Sequence, residues 1–407
     1  MRAIATVALT ALTIGTAVAQ DWNQWRGPAR TGIAANFTPP SAWPERPTKA
    51  WQVEAGAGHS SPVVSANRVF LFARIGEQEA VTAYELASGK QVWRQTYDAP
   101  YEMNPAASSH GKGPKSTPVV AAGRVYAFGI GGILSAFDAA SGRVLWRKDF
   151  RSEFKATSPD FGTAMSPLVV EGLVIVHAGG PRDGAILALD GRTGAVRWSW
   201  RADGPGYASP VAGVFGGVGH VITQTQSHVT GLLLSNGSLA WQIPFTTAYD
   251  QNIVTPVVHQ DLVIYSGIEQ PLTAVRVLQR DGKWTTEPVW QNASVPMYMS
   301  SPVLVDGVLF GLTHRNRGQF VAVDARTGKT LWATRGREAE NAAFVAAGDL
   351  LLATTTEGEL VVFRRNPATF DLVKRYTIAQ SPIWAHPAPA GRGVLIKDAD
   401  TLAYWTF

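Results

Sequence analysis

The chain has 407 residues, 16% of them charged, a formal net charge of +5, 40 Gly, 14 Trp and no Cys. The positive excess is mild and forms no Lys/Arg run, which leaves nucleic-acid binding through a basic stripe unsupported. Without Cys there is no disulfide, and a Gly- and Trp-rich chain with few charges suits a turn-dense all-β fold.

The N-terminus reads as a secretion signal over residues 1–19. Arg2 supplies the charge, 3–18 is apolar and small, and Ala17-Val18-Ala19 fits a cleavage site. The run is too short and too rich in Ala and Thr for a membrane anchor, so no stable membrane insertion is expected. No Cys follows it for lipid attachment. A cysteine-free exported chain fits a periplasmic or secreted location. Residues 20–50 open with DWNQWRGPARTG. There Trp22 and Trp25 are expected to plug or clasp one face of the repeat domain downstream, with WRGP turning the chain.

From residue 51 the chain repeats itself. The phrases AYELASGKQVW (83–93), AFDAASGRVLW (136–146), ALDGRTGAVRW (188–198), GLLLSNGSLAW (231–241) and AVDARTGKTLW (322–332) all place Gly four residues before Trp. Each reads as strand, tight turn, strand, with Gly taking the positive-φ position. A second phrase, a small polar residue then Pro then aliphatics, begins at Ser60, Ser116, Met165, Ala208, Val254 and Ser300. Pro is tolerated at the first residue of a strand. One unit is therefore a four-stranded antiparallel meander.

Counting the units sets the architecture. Fourth strands carry Trp51, Trp93, Trp146, Trp198, Trp241, Trp290 and Trp332, with Val373 in the equivalent place of a degenerate eighth. First strands begin near Pro62, Pro118, Pro167, Pro210, Pro256, Pro302, Ala343 and Pro387. Both counts give eight but are out of phase. The chain opens on a lone fourth strand, KAWQVEA, and closes on three, HPAPA, GVLIKD and LAYWTF. The expectation is an all-β, eight-bladed β-propeller over 51–407, whose N-terminal strand pairs with the C-terminal three to close the ring and remove sheet edges.

These repeats resemble those of the pyrroloquinoline-quinone (PQQ)-type β-propellers, over essentially all of 22–407. The DWNQWRGPARTG opening is similar to that of secreted bacterial members. The resemblance implies that the repeat Trp residues are structural and dock one blade on the next. It also implies two kinds of activity. Quinoprotein alcohol dehydrogenases hold the quinone in the central channel between a Trp floor and a disulfide of adjacent Cys. There a calcium held by Glu, Asn and Asp polarises the quinone and an Asp acts as base. The propeller lipoprotein of the outer-membrane barrel-assembly machinery binds no quinone and works as a scaffold. This sequence departs from the dehydrogenase pattern: it has no Cys, no clear acidic constellation and no Cys-x-x-Cys-His for a haem domain.

Chemistry-bearing residues gather in the loops that lead from one blade to the next, around one mouth of the channel. The loop 98–118 holds Glu102, Asn104, His110, Lys112 and Lys115; 151–167 holds Lys155, Asp160 and Thr163. Tyr207 follows in GPGYASP. Tyr249, Asp250, Gln251 and Asn252 lie in TTAYDQNIVTP, Tyr298 and Met299 in VPMYMSSP, Glu340 and Asn341 in REAENAAF, and Trp384 and His386 in SPIWAHP. Long loops inside a compact domain favour function, and amphipathic aromatics suit pockets and interfaces alike. Lys112, Lys115 and Lys155 favour an anion such as a carboxylate or sugar acid. Polar residues at a channel mouth also serve simply to solvate it or to satisfy loop backbone. None of the eight His shows metal-ligand spacing, although His59, His110 and His386 approach one another in this topology; no metal is expected.

The expectation is a monomeric binding or scaffold module. It recognises an unknown small molecule or an envelope protein through 98–118, 151–167 and 247–255, with no cofactor. The alternative is a dehydrogenase of quinoprotein type, oxidising alcohols or sugars with PQQ and calcium in the channel.

Overall fold

Thirty-two strands, grouped into eight four-stranded antiparallel sheets, make up residues 21–407, the part described by this computed structural model. The expected secretion signal lies outside the described residues. Blades 1 to 7 are consecutive meanders over 63–98, 119–149, 168–200, 211–244, 257–292, 303–333 and 342–377. In blade 8, Thr48–Glu54 joins Thr401–Thr406, Gly393–Lys397 and Ala388–Ala390, with Trp51 opposite Tyr404. The ring therefore closes through the two ends of the chain, as the offset of the two repeat counts predicts.

The hairpin phrase folds for local reasons. In three copies an Asp carboxylate caps the turn: Asp138 Oδ1 accepts from Ala140 N and Ser141 N, and Asp190 and Asp324 repeat the arrangement. The turn Gly then donates back to the same Asp carbonyl at 2.8 Å in each. Its φ is positive, 76° at Gly142.

That Gly has a second duty, set by packing. The Trp of the preceding blade lies flat against it. A Cβ on Gly142 would lie 2.6 Å from Trp93 Cε3, and Gly89, Gly194, Gly237 and Gly328 are in the same way covered by Trp51, Trp146, Trp198 and Trp290. The indole N–H donates to a backbone carbonyl of the next blade, for example Trp93 to Ala139 at 3.1 Å and Trp146 to Gly191 at 3.0 Å. One Gly-x-x-x-Trp phrase thus supplies a seat for the blade before and a key for the blade after. Trp241 and Trp332 have no Gly seat, although Trp332 still donates to the Asn366 carbonyl at 2.8 Å. Blade 5 replaces the short turn with a long hairpin, Gln270–Arg280 and Lys283–Asn292, and has Thr286 where the seat would be. The Trp241 indole N–H accordingly finds no acceptor among the described residues.

Residues 21–37 cross the channel on the inner strands. Trp22 pairs with Val64 of blade 1 through two backbone bonds (2.8 and 2.9 Å), and Asn23 pairs with Val120 of blade 2. The Arg30 guanidinium donates to the Ser166 and Pro167 carbonyls of blade 3, and Arg26 to the Pro302 carbonyl of blade 6. Ala34 and Gly32 bond to Ala346 of blade 7. Trp22 is 1% exposed and sits on Gly27 at the turn of this segment.

Candidate functional site

The small-polar-then-Pro phrase builds the rim of the channel. At the start of six of the eight inner strands a backbone N–H donates to the hydroxyl of the next blade. His386 N reaches Ser61 Oγ, Ser61 N reaches Thr117 Oγ1, and Thr117 N reaches Ser166 Oγ. Ser166 N then bonds Ser209 Oγ, Ser209 N bonds Thr255 Oγ1, and Thr255 N bonds Ser301 Oγ, all at 2.9–3.1 Å. Blade 7 has Asn341-Ala342-Ala343 in place of the phrase, and there Ala342 N turns to Ser300 Oγ instead. These strand starts are buried, so each hydroxyl satisfies a donor that water does not reach.

Above this rim lies a cavity of about 310 Å³. The six relay hydroxyl residues surround it and Trp25, carried by the crossing segment, forms its floor. His110, Lys115, Tyr207, Tyr298, Trp384 and His386 all line it, so half of the twelve loop residues singled out from the sequence meet in one place. His59, Phe161, Gln251 and Met299 add to its polar and apolar walls, with Ala106, Ala107, Ala164 and Ile253.

Aromatic and imidazole rings pack tightly on one side. His59 and His110 lie edge-on with centroids 5.7 Å apart, and Trp384 is 4.8 Å from His110 and 5.8 Å from His59. His59 Nε2 bonds the His110 carbonyl at 3.1 Å. His386 stands edge-on to Trp25 at 5.2 Å. Burial, reinforced by the charges of His110, Lys115 and Lys397, pushes His59 down to about 3. Burial and the nearby Arg26 do the same to His386, also to about 3. Both imidazoles are therefore neutral at ordinary pH. Lys115 is lowered by burial to about 8, and its ammonium donates to the Phe161 carbonyl. Tyr207 is raised by burial, and its hydroxyl accepts from Phe161 N at 3.2 Å. The Tyr298 hydroxyl donates to Gln251 Oε1.

The other six candidates lie elsewhere. Asn252 is fully buried behind the wall, where its Nδ2 donates to the carbonyls of Thr225, Gln226 and Phe245. Asp250 accepts from Gln226 Nε2 at 2.7 Å. Lys112 and Lys155 point to solvent. Tyr249 is 80% exposed on the rim with φ 58°, and Asp250 beside it has φ 54°. Asn341 lines a second cleft of about 370 Å³ with Tyr298, His314, Arg317, Arg337 and Glu340. The sequence reading missed Arg26 and Arg30, which are buried against Trp25 with guanidinium carbons 5.3 and 5.4 Å from its ring centre. The WRGPAR string was the one available signal: two Arg four residues apart around Gly-Pro, in the segment already expected to plug the ring.

The donor set decides what this cavity can hold. Among the described residues no Asp or Glu lines it, and no group of three or more His, Asp or Glu is placed to bind a metal ion. Calcium takes mainly carboxylate and carbonyl oxygens, so these walls do not fit a calcium-bound quinone, and no adjacent cysteines cover the floor.

Comparison with known proteins agrees with the fold and narrows the family. The family model described as Outer membrane protein assembly factor BamB (PQQ_2) matches residues 77–334 and, overlapping, 283–382. The chain is 23% identical over 378 residues to the outer membrane protein assembly factor BamB of Yersinia pestis, covering 88% of this chain and 78% of that protein. The crystal structure of BamB from Moraxella catarrhalis superposes with a TM-score of 0.64 at 16% identity, over 89% of this chain and 98% of that one. The quinohemoprotein alcohol dehydrogenase of Comamonas testosteroni superposes with a TM-score of 0.67 at 14% identity, over 95% and 80% of the two chains, a likeness of fold alone. With the family model covering more than half of its length, the chain belongs to the PQQ-like propeller family of the outer membrane protein assembly factor BamB.

Proposed function

We propose that this propeller is a non-catalytic binding and scaffold module of the bacterial envelope, working in the periplasm through the loops at its channel mouth. The observation that carries this reading is Tyr249. A bulky side chain held at φ 58° and 80% exposed is strained and unburied at once, a combination that persists where the surroundings impose it and that clusters at binding sites. Tyr is also among the residues that dominate binding energy at interfaces. The relatives are assembly factors by name, which supports an envelope protein as the partner. A monomeric ring with closed edges suits a rigid platform, because only the loops are left free to recognise anything.

The test is recovery of outer-membrane assembly proteins with the tagged chain from envelope extracts, wild type against Tyr249→Ala. The variant is expected to lose the partners while melting like wild type. Equal recovery would remove Tyr249 from the recognition face. Dye reduction with alcohols after addition of quinone and calcium would overturn the non-catalytic reading.

A further inference from the structure

Beside the cavity, over blade 6, lies the second cleft, of about 370 Å³. Two loops wall it: 314–318, between the second and third strands of blade 6, and 334–341, which leads on to blade 7. The loops are stitched together. Glu338 N donates to the Gly318 carbonyl at 2.8 Å, and a Cβ on Gly318 would lie 1.6 Å from the Ala339 carbonyl oxygen. Gln319 Nε2 donates to the Thr334 carbonyl, and Phe320 N to Thr334 Oγ1. Arg317 is held at φ 66°, a conformation that a long side chain keeps where its surroundings impose it. The walls are therefore built before anything binds.

Three polar side chains on this lining have no partner among the described residues. Arg317 makes no side-chain hydrogen bond and enters no ion pair, whereas its neighbour Arg337 is taken by Glu357. Glu340 uses only its backbone N–H, which donates to Glu357 Oε1 at 3.0 Å. Arg317 and Glu340 thus share one cleft without lying within ion-pair distance of each other. Asn341 is the third. It is 7% exposed, and Thr356 holds its backbone on both sides: Asn341 N donates to Thr356 Oγ1 at 3.1 Å, and its carbonyl accepts from Thr356 N at 3.1 Å. Its side-chain amide bonds to nothing, a costly state for a polar group so sheltered. A carboxylate and a guanidinium that share a cleft without pairing are matched by a ligand with one charge of each sign. An unpartnered side-chain amide is matched by a peptide group, which offers a carbonyl and an N–H together. Going beyond the scaffold reading and not depending on it, we propose that this cleft binds a short peptide with both ends free. The peptide's carboxylate pairs with Arg317, its ammonium pairs with Glu340, and Asn341 reads the peptide group between them. The cleft has the size of a small-ligand site, and two charges and an amide give it a direction.

The experiment is calorimetric titration of the full chain with diglycine, N-acetyldiglycine and diglycinamide. Diglycine is expected to bind one-to-one. Acetylation removes the ammonium and amidation the carboxylate, and each should weaken binding at least about tenfold, the loss of one charge-assisted contact. Variants assign the ends. Arg317→Gln should lower diglycine to the affinity of diglycinamide while the penalty for acetylation stays. Glu340→Gln should lower diglycine to the affinity of N-acetyldiglycine while the penalty for amidation stays. Both side chains are exposed, so both variants should melt like wild type. Asn341→Ala should weaken diglycine by about fivefold, the worth of one neutral hydrogen bond. No heat with diglycine at about 10 mM, far above the affinity range of a small-ligand pocket, at either of two temperatures, would overturn the site. Equal binding of the three probes would do the same, since it would mean that neither charge is read. Glycine binding as tightly as diglycine would overturn the peptide assignment, because glycine has no peptide group for Asn341.

Discussion

Trp51 and Tyr404 face each other across the seam that joins the two ends of the chain, as Cα partners with ring centroids 5.9 Å apart. The same indole donates to the Leu86 carbonyl of blade 1 at 2.8 Å and covers Gly89. One side chain therefore closes blade 8 and docks it on its neighbour. Trp51→Ala should destabilise the ring by about 2–3 kcal/mol, less than the roughly 3–5 kcal/mol for emptying a fully buried aromatic site, because Trp51 is only half-buried. The check is a urea midpoint together with tryptic cleavage at Lys49, which should speed up as the strand Thr48–Glu54 detaches. A wild-type midpoint and cleavage rate would show that the seam does not depend on the indole.

Gly142 and Gly123 separate the two demands made on a turn glycine. Their φ angles are 76° and 71°, so both resist a side chain equally through the backbone. Gly123 has nothing within 4 Å of a Cβ, whereas Gly142 meets Trp93 at 2.6 Å. Gly123→Ala is expected to cost about 1 kcal/mol, the left-handed penalty alone. Gly142→Ala should cost a further 1–3 kcal/mol, roughly the price of overpacking. Equal chemical-denaturation midpoints for the two variants would mean that the Trp shifts aside and that the seat does not fix blade spacing.

Repetition is what made the fold readable. The Gly four residues before each Trp answers two physical demands at once, a positive φ and a flat seat, so few sequences satisfy it by chance. The offset between first- and fourth-strand counts then dictated how the ends must join. The cavity was less legible, because it draws on residues from different loops that only the ring brings together. His110, Lys115 and Trp384 meet there, but Asn252, chosen for the same reasons, turns inward to hold three carbonyls. An amide that binds ligand and an amide that satisfies backbone look alike along a chain. Arg26 and Arg30 escaped notice because burying unpaired guanidinium is rare, and no local pattern announces it.

Thr117 tests the hydroxyl relay. Its Oγ1 accepts from the buried Ser61 N–H at 3.0 Å while its own N–H is held by Ser166 Oγ. Thr117→Val keeps the shape and removes the acceptor, leaving one buried donor unsatisfied at a cost of about 1–3 kcal/mol. Thr117→Ser keeps the acceptor and should cost less. Amide hydrogen exchange at Ser61 is the direct readout, faster in the Val variant and unchanged in the Ser variant. Unchanged exchange in both would show that the rim bond contributes nothing to holding blade 1 against blade 2.

Glu79 gives the fold a pH dependence. It is 1% exposed in blade 1, accepts from Ile130 N at 2.8 Å across the blade interface and from the Tyr97 hydroxyl at 2.7 Å, and has no ion-pair partner among the described residues. Burial raises its carboxyl above the ordinary range, against the pull of those two hydrogen bonds and of Arg74. The folded state therefore holds the proton more tightly than the unfolded chain. With that sign, the group's contribution is fully present below the unfolded carboxylate pKa, near 4.3, and is lost as pH rises through the higher folded value. Glu79→Gln keeps an oxygen for Ile130 N and removes the charge. It should flatten the fall in melting temperature on going from acid to neutral pH, and should be at least as stable as wild type at pH 7. Parallel melting curves for the two proteins across that range would show that Glu79 is ionised and solvated in the folded state, and that the blade 1–2 contact does not sense pH.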